Sequence, residues 1–443
     1  MPETIVRPTI PLPFAAHGRI PEARSSPLCV RRKPLCTMPS DPPSIPAAVG
    51  ANLSGTNLER AGDHNQRVTL QAIRVGGPIT RADLAEITGL TAPAIANITR
   101  RLLADGLILE AGRLMGQRGQ PAMKLAIDPD GCFSVGVNID RDHITLVVLD
   151  LLGQVRARAT REVNFALPAA VAAFVRDTLP ALLETGEITP QRLIGLGVAL
   201  PDDLGRIHLP HQPDTYAVWN RTDIPSLFTG LPPLPVFVEN DATAAALGEA
   251  QFGLGLRHPS FFYLLVSRGL GGGLVLDGQY FRGADGRSGE IGFLPVRHPG
   301  LPARTLQDAV SLSALFDHLA ERGHPVGQPD DLLSLDKAGQ AALADWVEMA
   351  AGLLADPVLA ISCLINPQAV FVGGRLPGPI VEALADAVNR RTRGAAGLVP
   401  IVAPLRRAAM AADAPAVGAA ILPFNHRLLP GRAVLMKTAE EQA

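Results

Sequence analysis

Cysteine is scarce and poorly spaced: Cys29, Cys36, Cys132 and Cys363 form no CxxC pair. That spacing speaks against a disulfide framework and a zinc ribbon. Aromatic residues make up only 4%, and four of the 40 basic residues are lysine (Lys33, Lys124, Lys337, Lys437). No uncharged apolar run reaches the ~18 residues a bilayer-spanning helix needs, so no membrane partner is expected. Pro2, Pro8, Pro11 and Pro13 interrupt any apolar stretch of a secretory leader. A cytoplasmic protein is the expectation. What is present is ample core material: 443 residues, 47% hydrophobic and 19% charged, which suggests two or three domains.

Charge is informative by region. The net charge is −2, yet residues 60–125 hold nine Arg/Lys against five Asp/Glu. A small basic segment joined to an acidic remainder suggests that one part meets an anion and the other does not. Residues 1–46 contain eleven prolines and no sustained periodicity, a composition that cannot offset its ordering entropy, so 1–52 is expected to be disordered. Met38 lies inside it as an alternative start to Met1.

Beyond it the pattern turns to short helices. Asn65 can cap a helix running to about Arg74, ended by Gly76-Gly77-Pro78. Thr80 and Asp83 form a capping box for the next helix, with Leu84 and Ile87 facing inward and Thr88-Gly89-Leu90 as the turn. Thr91 caps a third helix, Pro93 is tolerated in its first turn, and Ile95, Ile98 and Leu102 form its buried stripe. Leu107–Glu110 and Met123–Ile127 are plausible strands around a Gly- and Arg-containing loop. Two helices, a tight turn and a hairpin predict a winged helix-turn-helix over 53–127. The opposite face of its third helix carries Pro93, Asn97, Arg100 and Arg101. Asn and Arg there can pair with adenine and guanine or hold phosphate, and Arg118 in the wing can reach phosphate or a minor groove. A protein-interaction module with merely solvated arginines is the alternative on pattern alone.

From Asp128 the chain reads as α/β: strand-like segments Phe133–Asn138, His143–Asp150 and Gln154–Glu162, a helix Pro168–Thr185, then strands at Ile194–Ala199 and Val236–Glu239 before a helix Ala242–Gly253. Strands at Phe261–Val266 and Gly273–Leu276, a long helix Leu343–Ile365 and a strand Ala369–Val372 follow. The theme repeats, which predicts a duplicated fold with a cleft between halves.

Several runs in this order resemble the ROK family, which groups sugar-responsive transcriptional repressors with sugar kinases. They are Ser54-Gly55-Thr56-Asn57, Thr80–Gly106, Val238-Glu239-Asn240-Asp241-Ala242, the glycine run Gly269–Gly278, and Arg282–Gly292. The resemblance covers about Leu53 to Pro430 and implies an actin/hexokinase-like duplicated α/β fold with two lobes, preceded by the winged helix-turn-helix. One lobe would be 128–240 plus roughly 415–443, the larger one 241–414. Because the kinases lack the N-terminal winged helix, the resemblance favours a regulator.

It also assigns Asn240, Asp241 and Glu290 to sugar hydroxyls. Asp241 matches the kinases' general base, so the residue alone does not distinguish binding from catalysis; it can also cap the following helix. The glycines beside Glu290 permit close backbone approach. Pro201-Asp202-Asp203 matches a loop near the sugar, where Asp202 either contacts ligand or makes a plain turn. Trp219 is expected to pack. The family histidine three residues after Glu290 is Phe293, and the CxCGxxGC cluster of zinc-bearing members falls on Gly300–Gln307, which has no cysteine. No metal is therefore expected, and His298 reads as a surface residue. The kinases' first phosphate loop, DxGGT, is replaced by Asn138-Ile139-Asp140-Arg141-Asp142-His143, without its glycines and with two added carboxylates. The second keeps its glycine core in Ser267–Gly273. One lost loop argues against ATP turnover. The expectation is a homodimeric or higher-order repressor of carbohydrate-utilisation genes, with no cofactor, that binds operator DNA and answers to a sugar effector. The alternative is a sugar kinase with an appended DNA-binding domain.

Overall fold

The computed structural model describes residues 58–113, 122–202, 204–206, 212–231, 233–297, 304–394, 399–410 and 413–431. Residues 1–57, Arg118, Asp203 and the stretch 298–303 with His298 lie outside them.

The first helix, α1 (Leu58–Gly76), starts a full two turns before Asn65. Asn65 is interior to it, its carbonyl accepting from Thr69 Oγ1 at 2.8 Å. Within the helix Arg67 pairs with Asp63 at 3.0 Å, and it anchors the helix outward by donating to the His426 carbonyl at 2.7 Å. After β1 (Ile79–Thr80) comes α2 (Arg81–Thr88), whose Thr80–Asp83 capping box forms as expected, with Gly89 closing it at φ 69°. Ile87 is 64% exposed, not inward; the eight-residue helix presents only Leu84 to the core. Thr91 caps α3 (Ala92–Ala104), which buries Ile95, Thr99 and Leu102 and leaves Ile98 half-buried. Strands β2 (Ile108–Arg113) and β3 (Met123–Ile127) complete a three-stranded sheet in the order β1-β3-β2. This is a winged helix.

The body holds two sheets with one topology. Strands β4 (Phe133–Ile139), β5 (His143–Asp150) and β6 (Val155–Glu162) form an antiparallel meander. Helix α4 (Pro168–Thr185) then leads to β7 (Leu193–Leu200) and β8 (Val236–Asn240), which add in parallel to give the order β6-β5-β4-β7-β8. After α5 (Asp241–Phe252), strands β9 (Phe261–Val266), β10 (Leu270–Leu276) and β11 (Gln279–Tyr280) make a second meander. Helices α6 (Leu312–Ala320) and α7 (Lys337–Ile365) lead to β12 (Ala369–Gly374), α8 (Gly378–Arg393) and β13 (Leu405–Arg407). The second order, β11-β10-β9-β12-β13, repeats the first strand for strand, so the expected duplication is present. Helix α7 is long and apolar enough to cross a bilayer, yet Trp346, Ala350, Leu354 and Val358 line one face inside the second sheet's core.

The last helix described, α9 (Ala414–Arg427), lies between the first sheet and α5, with every residue from Ala414 to Ile421 buried. It approaches backbone to backbone. A Cβ at Gly136 in β4 would strike the Ala416 carbonyl, one at Gly197 in β7 the Ala419 carbonyl, and one at Gly418 in α9 the Ala244 carbonyl of α5. Gly→Ala inside a helix ordinarily gains up to ~1 kcal/mol. At Gly418 we expect the opposite sign: Gly418→Ala lowers the urea unfolding free energy by ~1–3 kcal/mol through overpacking, and a gain in stability would refute this seam.

Candidate functional site

Two surfaces carry chemistry. On α3, burying Ile95, Thr99 and Leu102 turns Pro93, Asn97, Arg100 and Arg101 to solvent. Arg100 Nη1 donates to Asn97 Oδ1 at 3.1 Å, which joins two of the expected reading residues into one polar unit. Arg81 of α2 donates to Thr99 Oγ1 at 3.0 Å and fixes the angle between the two helices. Arg113, exposed at the end of β2, adds a positive charge on the wing side.

The second surface is a cleft where β8 runs into α5. The cap of α5 is Asn240, not Asp241: its Oδ1 accepts the Thr243 N–H at 3.0 Å. Asp241 occupies the first helical position, where the helix dipole favours an anion, and its Oδ1 accepts the Ala242 N–H at 2.8 Å. Both residues line a narrow cavity of about 60 Å³ together with Glu290, so the structure brings the three expected sugar-binding residues together. The cavity shares Pro201, Asp202 and Asn240 with a neighbouring hollow of about 390 Å³ bounded by Trp219 and Glu239. Trp219 is buried, donates to the Ala166 carbonyl at 3.0 Å and meets Tyr216 edge-on, so it packs while showing one side to the hollow.

Electrostatics single out Asp241. It is only 7% exposed, and burial, reinforced by the charges of Asp140 and Asp202, pushes its carboxyl up to about 7 against the pull of Arg141 and the Ala242 N–H. Near neutral pH such a group can both donate and accept. Glu290 is held by Arg287, whose Nε donates to its Oε1 at 2.9 Å. Sequence reasoning missed Arg141, Arg287 and Gln307, which also line the cavity. Arg141 is buried, lies 3.6 Å from Asp140, and its Nε has no acceptor among the described residues; only its place in a charged β-turn hinted at this. Phe293, in place of the family histidine, lines the same cavity and is half-exposed.

The glycines expected to admit a ligand do something else. Gly289, at φ 89°, and Gly292 press against the backbone of β10, while Gly271 and Gly273 make room for Ala242 and Ala246 of α5. The loop from Asn138 to His143 is a tight hairpin, and Asp142 is fully engaged. Its Oδ1 accepts from His143 Nδ1 at 2.7 Å; its Oδ2 accepts from Arg375 Nη1 at 3.0 Å and Arg268 Nε at 3.2 Å. Burial would raise this carboxyl, but His143, Arg375 and Arg268 together hold it well below the usual carboxylate range. Arg375 also grips Glu162 at 2.6 Å. Asp140, Asp142 and His143 are the only cluster of metal-type side chains among the described residues. Two arginines already neutralise Asp142, an arrangement suited to an ion-pair clasp and poorly suited to a cation.

The ROK family sequence model matches residues 134–425, and a winged helix-turn-helix DNA-binding model matches residues 63–108. The xylose repressor of Bacillus subtilis strain 168 is 27% identical over 237 residues, covering 53% of this chain and 61% of the repressor. The N-acetylglucosamine repressor of Escherichia coli O157:H7 is 25% identical over 364 residues, 75% of this chain and 86% of the repressor. A crystal structure of a ROK family transcriptional regulator, a homologue of the E. coli MLC protein, superposes with a TM-score of 0.60 at 22% identity, over 83% of this chain and 96% of that one.

A carboxyl raised by folding is protonated in the folded state between its ordinary value of 3.8 and about 7, where the unfolded chain has already lost the proton. Stability therefore falls as pH rises through that window. Asp241→Asn should remove the fall, so that the variant's advantage in urea unfolding free energy grows from about pH 4 to about pH 7.5 by on the order of 2–4 kcal/mol. A pH-independent difference would contradict it.

Proposed function

The chain belongs to the ROK family, and from that premise we propose that it is a sequence-specific DNA-binding transcriptional regulator. In this reading it represses carbohydrate-utilisation genes, and a monosaccharide or sugar derivative in the cleft sets its operator affinity. The observation that carries the proposal is a winged helix docked on a sugar-kinase-like body. The matched relatives named as xylose and N-acetylglucosamine repressors support it.

The two surfaces support these roles. Asn97, Arg100 and Arg101 read the operator, and Arg118, outside the described residues, is assigned to phosphate. Asn240, Asp241 and Glu290 hold sugar hydroxyls, and Arg141 supplies a further donor. The lobes divide at 128–240 with roughly 415–443 and at 241–414. A homodimer in the cytoplasm places two heads on a pseudo-palindromic operator.

Kinase activity is the rival reading, since Asp241 is retained. Against it, the loop that would cradle a triphosphate presents Asp140 and Asp142, and Arg268 and Arg375, which reach it from the second half, are already committed to Asp142 and Glu162. A triphosphate would have to displace those ion pairs and face two carboxylates. No ADP release with any of a panel of hexoses and pentoses is the expected result of a coupled assay; turnover lost in Asp241→Asn would establish the rival.

The reading face is tested on the protein's own upstream DNA. Asn97→Ala and Arg100→Ala are each expected to weaken specific binding by ~1–3 kcal/mol. Unchanged gel-shift affinity for both variants would reject this face.

A further inference from the structure

Helix α5 has a different job at each end. Its N-terminus forms the cleft, through the cap Asn240 and through Asp241. Its C-terminus holds the winged helix. Arg74 of α1 donates from Nη1 to the Gln251 carbonyl at 3.1 Å and from Nη2 to Gln251 Oε1 at 2.9 Å. The same guanidinium stacks on the Phe252 ring, 4.5 Å from its centroid. Gln71 braces it, accepting from Arg74 Nε at 3.0 Å. The Phe252 ring lies so close to Gly153 that a Cβ there would collide with it. The ring is wedged between a backbone turn and an arginine.

Between its ends α5 cannot bend to dissipate motion. It contains no glycine or proline other than Gly248, which faces Ala414 and Gly418 of α9. The carboxylate of Glu249, fully buried, accepts backbone N–H groups from Leu254 at 2.8 Å and from Ala409 and Met410 at 3.0 Å each. Twelve residues at a rise of about 1.5 Å each make a rod of about 18 Å. A close-packed rod transmits a shift at one end to the other. Helix α9 runs to the same destination, where the carbonyls of His426 and Leu429 accept from Arg67. A third attachment is independent of the cleft: Arg192, beside the start of β7, donates to the Asp105 and Gly131 carbonyls at the base of the head. Arg192 offers a pivot, and the α5 clamp offers the lever.

We infer that the clamp of Arg74 on Gln251 and Phe252 is the positioning contact through which occupancy of the cleft, felt at Asn240 and Asp241, reorients the DNA-reading head. The inference rests on the sugar-responsive reading above and adds its route. Arg74, Gln251 and Phe252 touch neither cleft nor DNA-reading face. They are positioning residues, and their removal should spare both binding events while uncoupling them.

The test is a linkage measurement on the full chain. Operator Kd is measured with and without saturating D-xylose, D-glucose or N-acetyl-D-glucosamine, and sugar Kd is measured calorimetrically, for wild type, Arg74→Ala and the milder Gln251→Ala. In wild type the effective sugar should change operator Kd by a factor within roughly 5–150. In both variants sugar Kd and sugar-free operator Kd should stay within about threefold of wild type, while the coupling factor falls towards one. Thermal melts establish that each variant is folded, and Gln251→Ala keeps the inference exposed if Arg74→Ala is not. Full coupling in a folded variant would overturn it, as would loss of operator binding without sugar, which marks a merely structural contact. A wild type indifferent to all three sugars would instead defeat the underlying reading, and the inference with it; the wild-type arm alone reports that failure.

Discussion

The approach of α9 to its neighbours sets the terms for everything else. Where helices normally keep side chains between their axes and a sheet, Gly136, Gly197 and Gly418 let α9 touch β4, β7 and α5 through backbone atoms. Little compressible material separates these elements, and interiors packed this way deform by switching arrangement, with little gradual yielding. The same seam continues upward. Ala416, Val417, Ala420, Ile421 and Phe424 of α9 share a single apolar cluster with Leu70, Ile73, Leu84, Ile95 and Leu102 of the winged helix. The reading head therefore has no core wholly its own. It shares one with the body, which makes its orientation a property of the body's packing.

Charge is distributed with the same economy. In the cleft, carboxylates outnumber their partners, and the burial of Asp241 keeps its proton available near neutrality. In the β4–β5 hairpin, whose Arg141 lines the same cavity, the opposite solution holds: Asp142 is saturated by His143, Arg268 and Arg375. The first arrangement leaves hydrogen-bonding capacity for hydroxyl groups; the second commits Arg268 and Arg375 to carboxylates. The two carboxylates thus have different futures because one has cationic partners and the other is buried beside further carboxylates.

Local signals were readable from the chain. Thr80 with Asp83, Thr91 and Gly89 punctuate the head at the expected positions, because caps depend on neighbours three residues away. Strands His143–Asp150 and Phe261–Val266 and helix Pro168–Thr185 lie at the bounds read from pattern. Helix α9 escaped notice because its first two turns are buried all round and show no polar stripe to reveal the period. Ile87 misled in the reverse direction, since a short helix exposes residues that a longer amphipathic one would cover. At the cleft, the Asn240-Asp241 pair was legible, but the division of labour was not: capping falls to the asparagine and frees the carboxylate for the cavity. Arg268 and Arg375 are 126 and 233 residues from Asp142, a separation that no local pattern encodes. The Arg74 clamp is hidden for the same reason.

If cleft and head are joined through a shared core and a stiff helix, the two ligands must sense each other with equal strength in both directions. The most direct measurement is the affinity of the effective sugar for the free protein and for the protein saturated with operator. A repressor of this design should bind the sugar more weakly on the operator, by the same factor that the sugar weakens operator binding. Identical sugar affinity in the two states would contradict the account.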